Sequence, residues 1–207
     1  MILGDRKIKK YVEDYKSYGM EKPLIEPFKD ERLQSVSYDI SIGSKIKTII
    51  SQGEVIELDD RVAINNCFET RIMGKEGYIL KPNETILFPI TEYICMPENL
   101  LGHIRPRTTF SRLALSLSPQ HINPTYEGRL ELVLTNNSPN NIRIREGLKI
   151  GQILFEEISG DLTPGKLYKN KKDAKYHKED GATGSKVYEE LSIEDKMMLD
   201  NILNKIK

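Results

Sequence analysis

The chain has few of the residues that build disulfide frameworks and zinc sites. Its 207 residues include only two cysteines and three histidines. Cys67 and Cys95 lie far apart and form no Cys-x-x-Cys pair, and His103, His121 and His177 show no metal-ligand spacing. We therefore expect no zinc site, and we expect reduced thiols of the kind found in cytoplasmic proteins.

The chain also lacks an excess of either charge and any long apolar run. Lys and Arg together number 31, as do Asp and Glu, so the formal net charge is zero. The basic surface typical of nucleic-acid-binding proteins is therefore not expected, although a local cluster could still bind a small anion. Without an apolar stretch of spanning length we expect no membrane segment and no signal peptide, and hence a cytoplasmic protein.

The hydrophobic pattern predicts one helix followed by many short strands. Ile8, Tyr11, Val12 and Tyr15 recur at helical spacing and predict a helix over residues 5–18, before Gly19. Strands are predicted at 36–43, 47–50, 55–58, 78–80, 85–90, 93–96, around 104, and at 113–117, 130–134, 142–144 and 148–156. Turn residues separate these runs and no helices alternate with them, which indicates an all-β sandwich or barrel.

The pattern changes after about residue 160. We divide the chain into a β domain over 1–160, a charged, glycine-containing tail over 161–190 that is expected to be mobile, and a C-terminal helix over 191–207. That helix is predicted from a capping box at Ser192 and Asp195 and an apolar stripe over 198–206. It could dock on its own core or on another subunit.

A polar segment in the middle of the chain carries the residues best suited to bind phosphate. Arg107 and Arg112 flank Thr108 and Thr109. Guanidinium groups match phosphate oxygens bidentately, and threonine hydroxyls add short donors, so a polyphosphate is a suitable ligand. Taken alone, this motif is more often part of an ordinary surface loop.

Several motifs in order resemble one family. They lie at 33–43 (LQSVSYDISIG), 107–115 (RTTFSRLAL), 122–128 (INPTYEG), 147–155 (GLKIGQILF) and 174–185. Together with the N-terminal segment they resemble the dCTP deaminase and dUTPase superfamily, most closely its dCTP deaminase branch. The resemblance covers roughly residues 1–188. In the motif at 107–115, Thr stands for the family's Ser and Ala114 for its Gly, and Thr125 stands at a family Gly in the turn.

The resemblance implies a distorted jelly roll of the dUTPase (β-clip) type, assembled as a homotrimer with active sites shared between subunits. It implies a deoxynucleoside triphosphate such as dCTP or dUTP as ligand, with Mg²⁺ on the phosphates and no zinc. The implied phosphate-binding residues are Arg107, Thr108, Thr109 and Arg112, with Gln152 supporting them. Tyr168 and Lys175 would close the tail over the nucleotide, and Glu179 stands where the family often has Gln.

Two positions depart from the family's catalytic pattern. The deaminase Glu that activates water falls at Val133, which cannot transfer a proton. Glu131 lies two residues earlier and is expected on the same face of the strand, about 6–7 Å away. The dUTPase Asp falls at Asn123, whose amide can orient a water but cannot take up its proton. His121 replaces a residue that is often Arg and could titrate near neutrality or simply pack in the turn.

Three functional hypotheses follow from these residues. The first is a dCTP deaminase that produces dUTP, or continues to dUMP, with Glu131 and Asn123 as candidate catalytic residues. The second is a dUTP pyrophosphatase. The third is a nucleotide-binding trimer without catalysis that acts as a sensor or regulator. The sequence indicates neither the base preference nor the role of the C-terminal helix.

Overall fold

The computed structural model describes residues 1–181 and 183–190. The helix predicted over 191–207 lies outside these residues. Within them, no helix is long and apolar enough to cross a membrane.

Strands dominate the described chain, as the hydrophobic pattern predicts. The helices are α1 (Asp5–Glu13), α2 (Arg61–Asn66) and α3 (Thr108–Ser111). The strands are β1 (Ile25–Glu26), β2 (Tyr38–Ser41), β3 (Lys45–Ile49), β4 (Phe68–Ile72), β5 (Tyr78–Leu80), β6 (Thr85–Pro89), β7 (Tyr93–Cys95), β8 (Leu100–Pro106), β9 (Leu115–Leu117), β10 (Gln120–Ile122), β11 (Glu127–Arg129), β12 (Glu131–Asn136), β13 (Ile142–Ile144), β14 (Lys149–Glu157) and β15 (Glu179–Asp180).

In the part of the chain that the structure describes, these strands form four sheets. Their orders are β1-β7-β11-β15, β10-β8-β14-β2, β4-β3-β6-β12-β9 and β13-β5. Pairing is antiparallel except between β11 and β15. Most neighbours in these sheets are far apart in the sequence, so strands cross between the layers and enclose one core.

Alternation along the strands places the core between the sheets. β12 alternates strictly, with Leu132, Leu134 and Asn136 buried and the intervening side chains partly exposed. Tyr38, Phe88 and Phe155 are fully buried in the same cluster. Burying these large apolar side chains stabilises the fold by about 1.5–3 kcal/mol for each one.

Two predicted elements are wrong in detail. Residues 51–60, all of them described, form no strand, so the strand predicted at 55–58 is absent; Val55 is 87% exposed. This apolar run belongs to an excursion that leads into α2, which the hydrophobic pattern did not predict and which Asp60 caps with its side chain. The N-terminal helix ends at Glu13, and a 3-10 turn over Tyr15–Tyr18 completes the predicted length before Gly19.

The described part of the tail packs back on the β domain. β15 pairs in parallel with β11, with Gly128 opposite Glu179. The Lys178 amide donates to the Glu127 carbonyl at 2.6 Å, and the Lys169 amide donates to the Thr125 hydroxyl at 3.0 Å. The chain beyond residue 160 thus adds a strand and a cover to the edge of one sheet.

Candidate active site

A cleft of about 540 Å³ opens where the tail covers β10, β11 and β12. We call it the central cleft. Its described lining residues are Leu87, Pro119, Gln120, His121, Ile122, Asn123, Tyr126, Leu130, Glu131, Val133, Tyr168, Tyr176, Glu179, Gly184 and Ser185. Apolar walls with a few convergent polar groups are typical of small-molecule sites.

Glu131 faces this cleft from the start of β12. It lines the cleft together with Val133, which confirms that the two side chains share one face of the strand. One carboxylate oxygen, Oε2, accepts a hydrogen bond from the Gly184 amide of the tail at 2.7 Å. The other, Oε1, is buried and has no hydrogen-bond partner among the described residues. An acceptor in this state is available to a ligand or to a water.

Glu179 enters the same cleft from the tail strand β15. Its Oε1 accepts a hydrogen bond from the Tyr126 hydroxyl at 3.2 Å. Its Oε2 is buried without a partner within the described chain. Two carboxyl groups from different segments therefore share one cleft, and each keeps an unpaired oxygen.

Both acids are shifted toward the protonated form. Burial raises the pKa of Glu131, and the Gly184 amide and the Lys47 ammonium partly offset that rise. Burial raises the pKa of Glu179 to about 7; the Tyr126 hydroxyl opposes this rise and the negative charge of Glu131 adds to it. Perturbed acids gathered in a cleft are characteristic of functional sites.

Gly128 allows the tail to reach this position. Its φ is 148°, and a Cβ there would lie 2.8 Å from both the Glu179 carbonyl oxygen and the Tyr126 hydroxyl. A side chain at this position would push β15 away from β11. The glycine that ends the 122–128 motif is therefore required by the close approach of the tail backbone.

Thr125 shows how the same turn tolerates the loss of a family glycine. Its φ is 65°, a left-handed conformation that is costly for a β-branched residue. The hydroxyl accepts the Lys169 amide of the tail. The turn thus keeps the backbone conformation that glycine favours and gains a contact with the tail.

The other predicted residues of the turn and tail also reach the central cleft. His121 and Asn123 line it from β10 and the following turn, and Tyr168 lines it from the tail. The Tyr126 and Tyr168 rings lie 5.8 Å apart, and burial raises the pKa of both phenols. These aromatic rings close the side of the cleft next to Glu179.

The predicted phosphate-binding residues lie elsewhere in the same chain. Arg107 precedes α3, which begins with Thr108 and Thr109, and Arg112 follows it. Both threonines and Arg112 are exposed. In the part of the chain that the structure describes, the lining of the central cleft includes none of these four residues.

Arg107 and Gln152 instead belong to a polar cluster around the buried Asp39. The Arg107 guanidinium donates to the Lys149 carbonyl at 3.1 Å, and its Nε lies 3.9 Å from the Asp39 carboxylate. The Lys149 ammonium approaches the same carboxylate at 3.9 Å. Gln152 lies opposite Asp39 in the sheet and accepts from Ser37 at 3.3 Å.

Lys175, predicted to help close the tail, is paired within the tail. Its ammonium contacts the Glu190 carboxylate, and its carbonyl accepts from the Lys186 ammonium. Of the predicted site residues, His121, Asn123, Glu131, Tyr168 and Glu179 meet in the cleft, whereas Gln152, Lys175 and the four residues around α3 do not line it.

Sequence reasoning missed two tyrosines of the cleft. Tyr126 lies inside the recognised turn motif, and Tyr176 directly follows Lys175 in the recognised tail motif. The Tyr176 hydroxyl accepts the Lys186 amide at 3.0 Å, and the Tyr168 hydroxyl accepts the Tyr176 amide at 3.2 Å. The sequence contained a signal for both tyrosines, because each of them lies within a motif that already includes a predicted site residue.

Comparison with known proteins identifies relatives over most of the chain. A family model described as dCTP deaminase-like matches residues 2–158. A protein of Nanoarchaeum equitans named "dCTP deaminase, dUMP-forming" is 28% identical over 207 residues, covering 92% of this chain and 99% of that protein. A dCTP deaminase of Tolumonas auensis is 28% identical over 201 residues, covering 90% and 98%.

The fold is shared with a solved structure. The crystal structure of 2'-deoxycytidine 5'-triphosphate deaminase from Agrobacterium tumefaciens matches with a TM-score of 0.58 at 20% identity. The match covers 81% of this chain and 49% of the Agrobacterium chain, so this chain spans about half the length of that protein. The expected jelly roll of the dUTPase and dCTP deaminase type is thereby confirmed.

Proposed function

The chain belongs to the dCTP deaminase-like family, and from that premise we propose that it hydrolyses the 4-amino group of dCTP, releasing ammonia and forming dUTP. The central cleft is the proposed site of the pyrimidine. Its volume, about 540 Å³, lies within the usual range of small-molecule sites.

One observation carries this proposal. Glu131, two residues from the position of the family acid, faces the cleft with an unpartnered, buried carboxylate oxygen. Deamination needs a base that takes a proton from water and returns it to the leaving ammonia. Val133 cannot do this, and Glu131 can if the pyrimidine is bound toward the start of β12.

The second part of the proposal is an active site completed by a neighbouring copy. In one chain the central cleft and the residues Arg107, Thr108, Thr109 and Arg112 form separate groups. A homotrimer with shared sites would bring the guanidinium groups of one copy to the cleft of the next. Exposed Leu113, beside Arg112, is suited to burial in such a contact. Sedimentation equilibrium on the full chain tests this assembly.

Magnesium fits this scheme as part of the substrate. Within residues 1–181 and 183–190 no cluster of three or more His, Cys, Asp or Glu side chains is placed to hold an ion. Phosphate oxygens are ligands that Mg²⁺ prefers. Mg²⁺ bound to the triphosphate would neutralise part of its charge, while Arg107 and Arg112 would bind the remaining oxygens.

Product analysis tests the proposed activity. Purified full-length protein is incubated separately with dCTP and with dUTP in the presence of Mg²⁺, and ammonia, pyrophosphate and nucleotides are quantified by enzymatic assay and chromatography. We expect ammonia and dUTP from dCTP. Unchanged dCTP would contradict the proposal.

Two other outcomes correspond to alternative functions. Release of dUMP and pyrophosphate would add or substitute a pyrophosphatase activity, although Asn123 in the cleft can only orient the attacking water. Binding of both nucleotides without turnover would identify a sensor or regulator. Val133 in the cleft wall is the observation that favours this last alternative.

A double variant tests whether deamination requires the carboxylate at position 131 or at position 133 of β12. Glu131→Gln combined with Val133→Glu moves the carboxylate back to the family position on the same face of β12. If the pyrimidine is bound toward Glu131, we expect this variant to stay as inactive as Glu131→Gln alone. Recovery of activity would place the reacting carbon beside residue 133 instead.

A further inference from the structure

We propose that Glu179, carried by the tail, is the second proton-transfer group of the deamination, so that docking of the tail completes the catalytic site. This inference rests on the proposed deamination of dCTP. It assigns to the tail a part in the chemistry in addition to covering the nucleotide.

The geometry brings the two acids to one cleft from two different segments of the chain. Glu131 begins β12 and points into the central cleft, while Glu179 begins β15, which pairs with β11 at Gly128. Each carboxyl group has one oxygen held by a donor, the Gly184 amide for Glu131 and the Tyr126 hydroxyl for Glu179. Each has a second, buried oxygen that meets no donor at hydrogen-bonding geometry among the described residues, although Thr183 lies close enough to lower the pKa of both acids.

Two buried carboxylate oxygens without hydrogen-bond partners in one cleft are unusual. Most buried polar side-chain atoms in folded proteins have a hydrogen-bond partner, because an unpaired buried acceptor costs about 1–3 kcal/mol. Two of the three described side-chain atoms left in this state belong to Glu131 and Glu179. A ligand with several donors and acceptors between them would satisfy both oxygens.

The cleft also contains little positive charge to hold both acids ionised. Lys47 of β3 lies near Gly184 and stabilises the Glu131 carboxylate. Around Glu179 stand the Tyr126 and Tyr168 phenols, and His121 lines the cleft from β10. Lys47 opposes the rise in the pKa of Glu131, whereas the pKa of Glu179 rises to about 7, so Glu179 is the acid that keeps a large share of its proton at neutral pH.

One ionised and one protonated carboxyl group match the two ends of the reaction. Water adds to C4 of the pyrimidine as Glu131 takes one of its protons, and N3 takes the proton of Glu179. Glu131 then passes its proton to the 4-amino group, and the C4–N4 bond breaks with its electron pair leaving on ammonia. The hydroxyl proton passes to Glu179 as C4=O forms, which restores both acids.

Three variants test this assignment. Glu179→Gln removes the acid–base function but keeps the size of the side chain and one acceptor oxygen. Glu179→Asp keeps the acid on a shorter side chain. Asp180→Asn is the matched control, since Asp180 is the next residue of β15, is exposed and pairs with Arg129 outside the cleft. The kcat and KM for dCTP are measured between pH 5 and pH 9, together with nucleotide binding.

We expect Glu179→Gln to lower kcat about 10²-fold with a KM within a few-fold of the unmodified protein. If protonated Glu179 takes part in the reaction, kcat of the unmodified protein should decrease above about pH 7, where Glu179 ionises, and this decrease should be absent in the Glu179→Gln variant. Glu179→Asp should recover part of the rate, and Asp180→Asn should behave as the unmodified protein.

Two results would overturn the inference and leave the proposed function standing. One is full kcat and an unchanged pH profile in Glu179→Gln. The other is weakened nucleotide binding with kcat unchanged, which would make Glu179 a contact for the base only. Failure of the unmodified protein to release ammonia from dCTP would instead contradict the proposed function, and this inference with it.

Discussion

Within the described residues, the surroundings of Glu92 and the central cleft bury carboxylate oxygens in opposite ways. Glu92 is 1% exposed, and its oxygens accept from the Ser41 amide at 3.0 Å and from the Ser41 hydroxyl at 2.8 Å. The Arg32 guanidinium forms an ion pair with it. Every oxygen of this carboxylate is satisfied by groups fixed in the β2 region.

Glu131 and Glu179 are partly buried in the central cleft, and one oxygen of each accepts a hydrogen bond there. Each keeps a buried oxygen without a partner in the described chain, and the negative charge of Glu131 raises the cost of ionising Glu179. The difference shows that burial alone does not make an acid reactive. Glu92 joins parts of the fold, whereas the pair in the central cleft is left available for a ligand and for protons.

The largest effect is expected from removing the acid of β12. Glu131→Gln should lower the kcat for dCTP by about 10²–10⁴-fold, the usual contribution of a general acid or base. The folded protein should be no less stable, because an amide is easier to bury than an unpaired carboxylate. Steady-state kinetics and denaturant unfolding measure the two effects. Exposed Glu13→Gln, on α1, is the control; equal loss of activity in both variants would contradict the role of Glu131.

At Glu92, whose carboxylate oxygens all have partners, we expect substitution to lower the stability of the fold. Glu92→Gln leaves the Arg32 charge without its partner, and loss of one member of a buried ion pair typically costs about 3–5 kcal/mol. Unfolding in urea should therefore shift to a lower midpoint. A variant that keeps the midpoint of the unmodified protein would show that Arg32 finds another partner or reaches water.

A smaller effect is expected from a substitution that detaches the tail from the cleft. Gly128→Ala places a Cβ against the backbone of Glu179, so β15 should detach from β11. We expect protection of the Lys178 and Gly184 amides from hydrogen exchange to fall about tenfold or more, equivalent to about 1.4 kcal/mol or more. Gly160→Ala, also at a positive φ (91°) but with no atom within 4 Å of its Cβ, is the control and should not change this protection.

The smallest expected effect is the pH dependence of tail docking. Glu179 has its pKa raised to about 7 in the docked tail, above the ordinary value of 4.5. Docking therefore takes up protons, and it weakens as pH rises from about 4.5 through 7 and changes little on either side of that window. After correction for intrinsic exchange rates, protection of the Lys178 amide should decrease over this range. Glu179→Gln should reduce the dependence to the part contributed by Glu131, whose pKa burial also raises, and an undiminished slope in that variant would contradict the role of Glu179.

The sequence indicated most of the strands because period-two alternation is a local property. The strands predicted at 78–80 and 142–144 agree with the structure residue for residue. The failure at 55–58 has a physical cause: an apolar run of that length is consistent with a strand or a surface excursion, and only tertiary packing distinguishes them.

The site was predictable only in part. The motifs identified Glu131, His121, Asn123, Tyr168 and Glu179, which share the central cleft. That Glu179 lies beside Glu131 follows from the parallel pairing of β15 with β11, a contact between segments about 50 residues apart that no local pattern encodes. The resemblance also groups the phosphate residues with this site, whereas one chain keeps them apart.

The most direct test of this account is a crystal structure of the Glu131→Gln variant with dCTP and Mg²⁺. We expect the pyrimidine in the central cleft, with its 4-amino group and N3 within hydrogen-bond distance of residues 131 and 179. We also expect the phosphates against Arg107 and Arg112 of a neighbouring copy. A pyrimidine bound outside this cleft, or with C4 turned away from both side chains, would contradict this account.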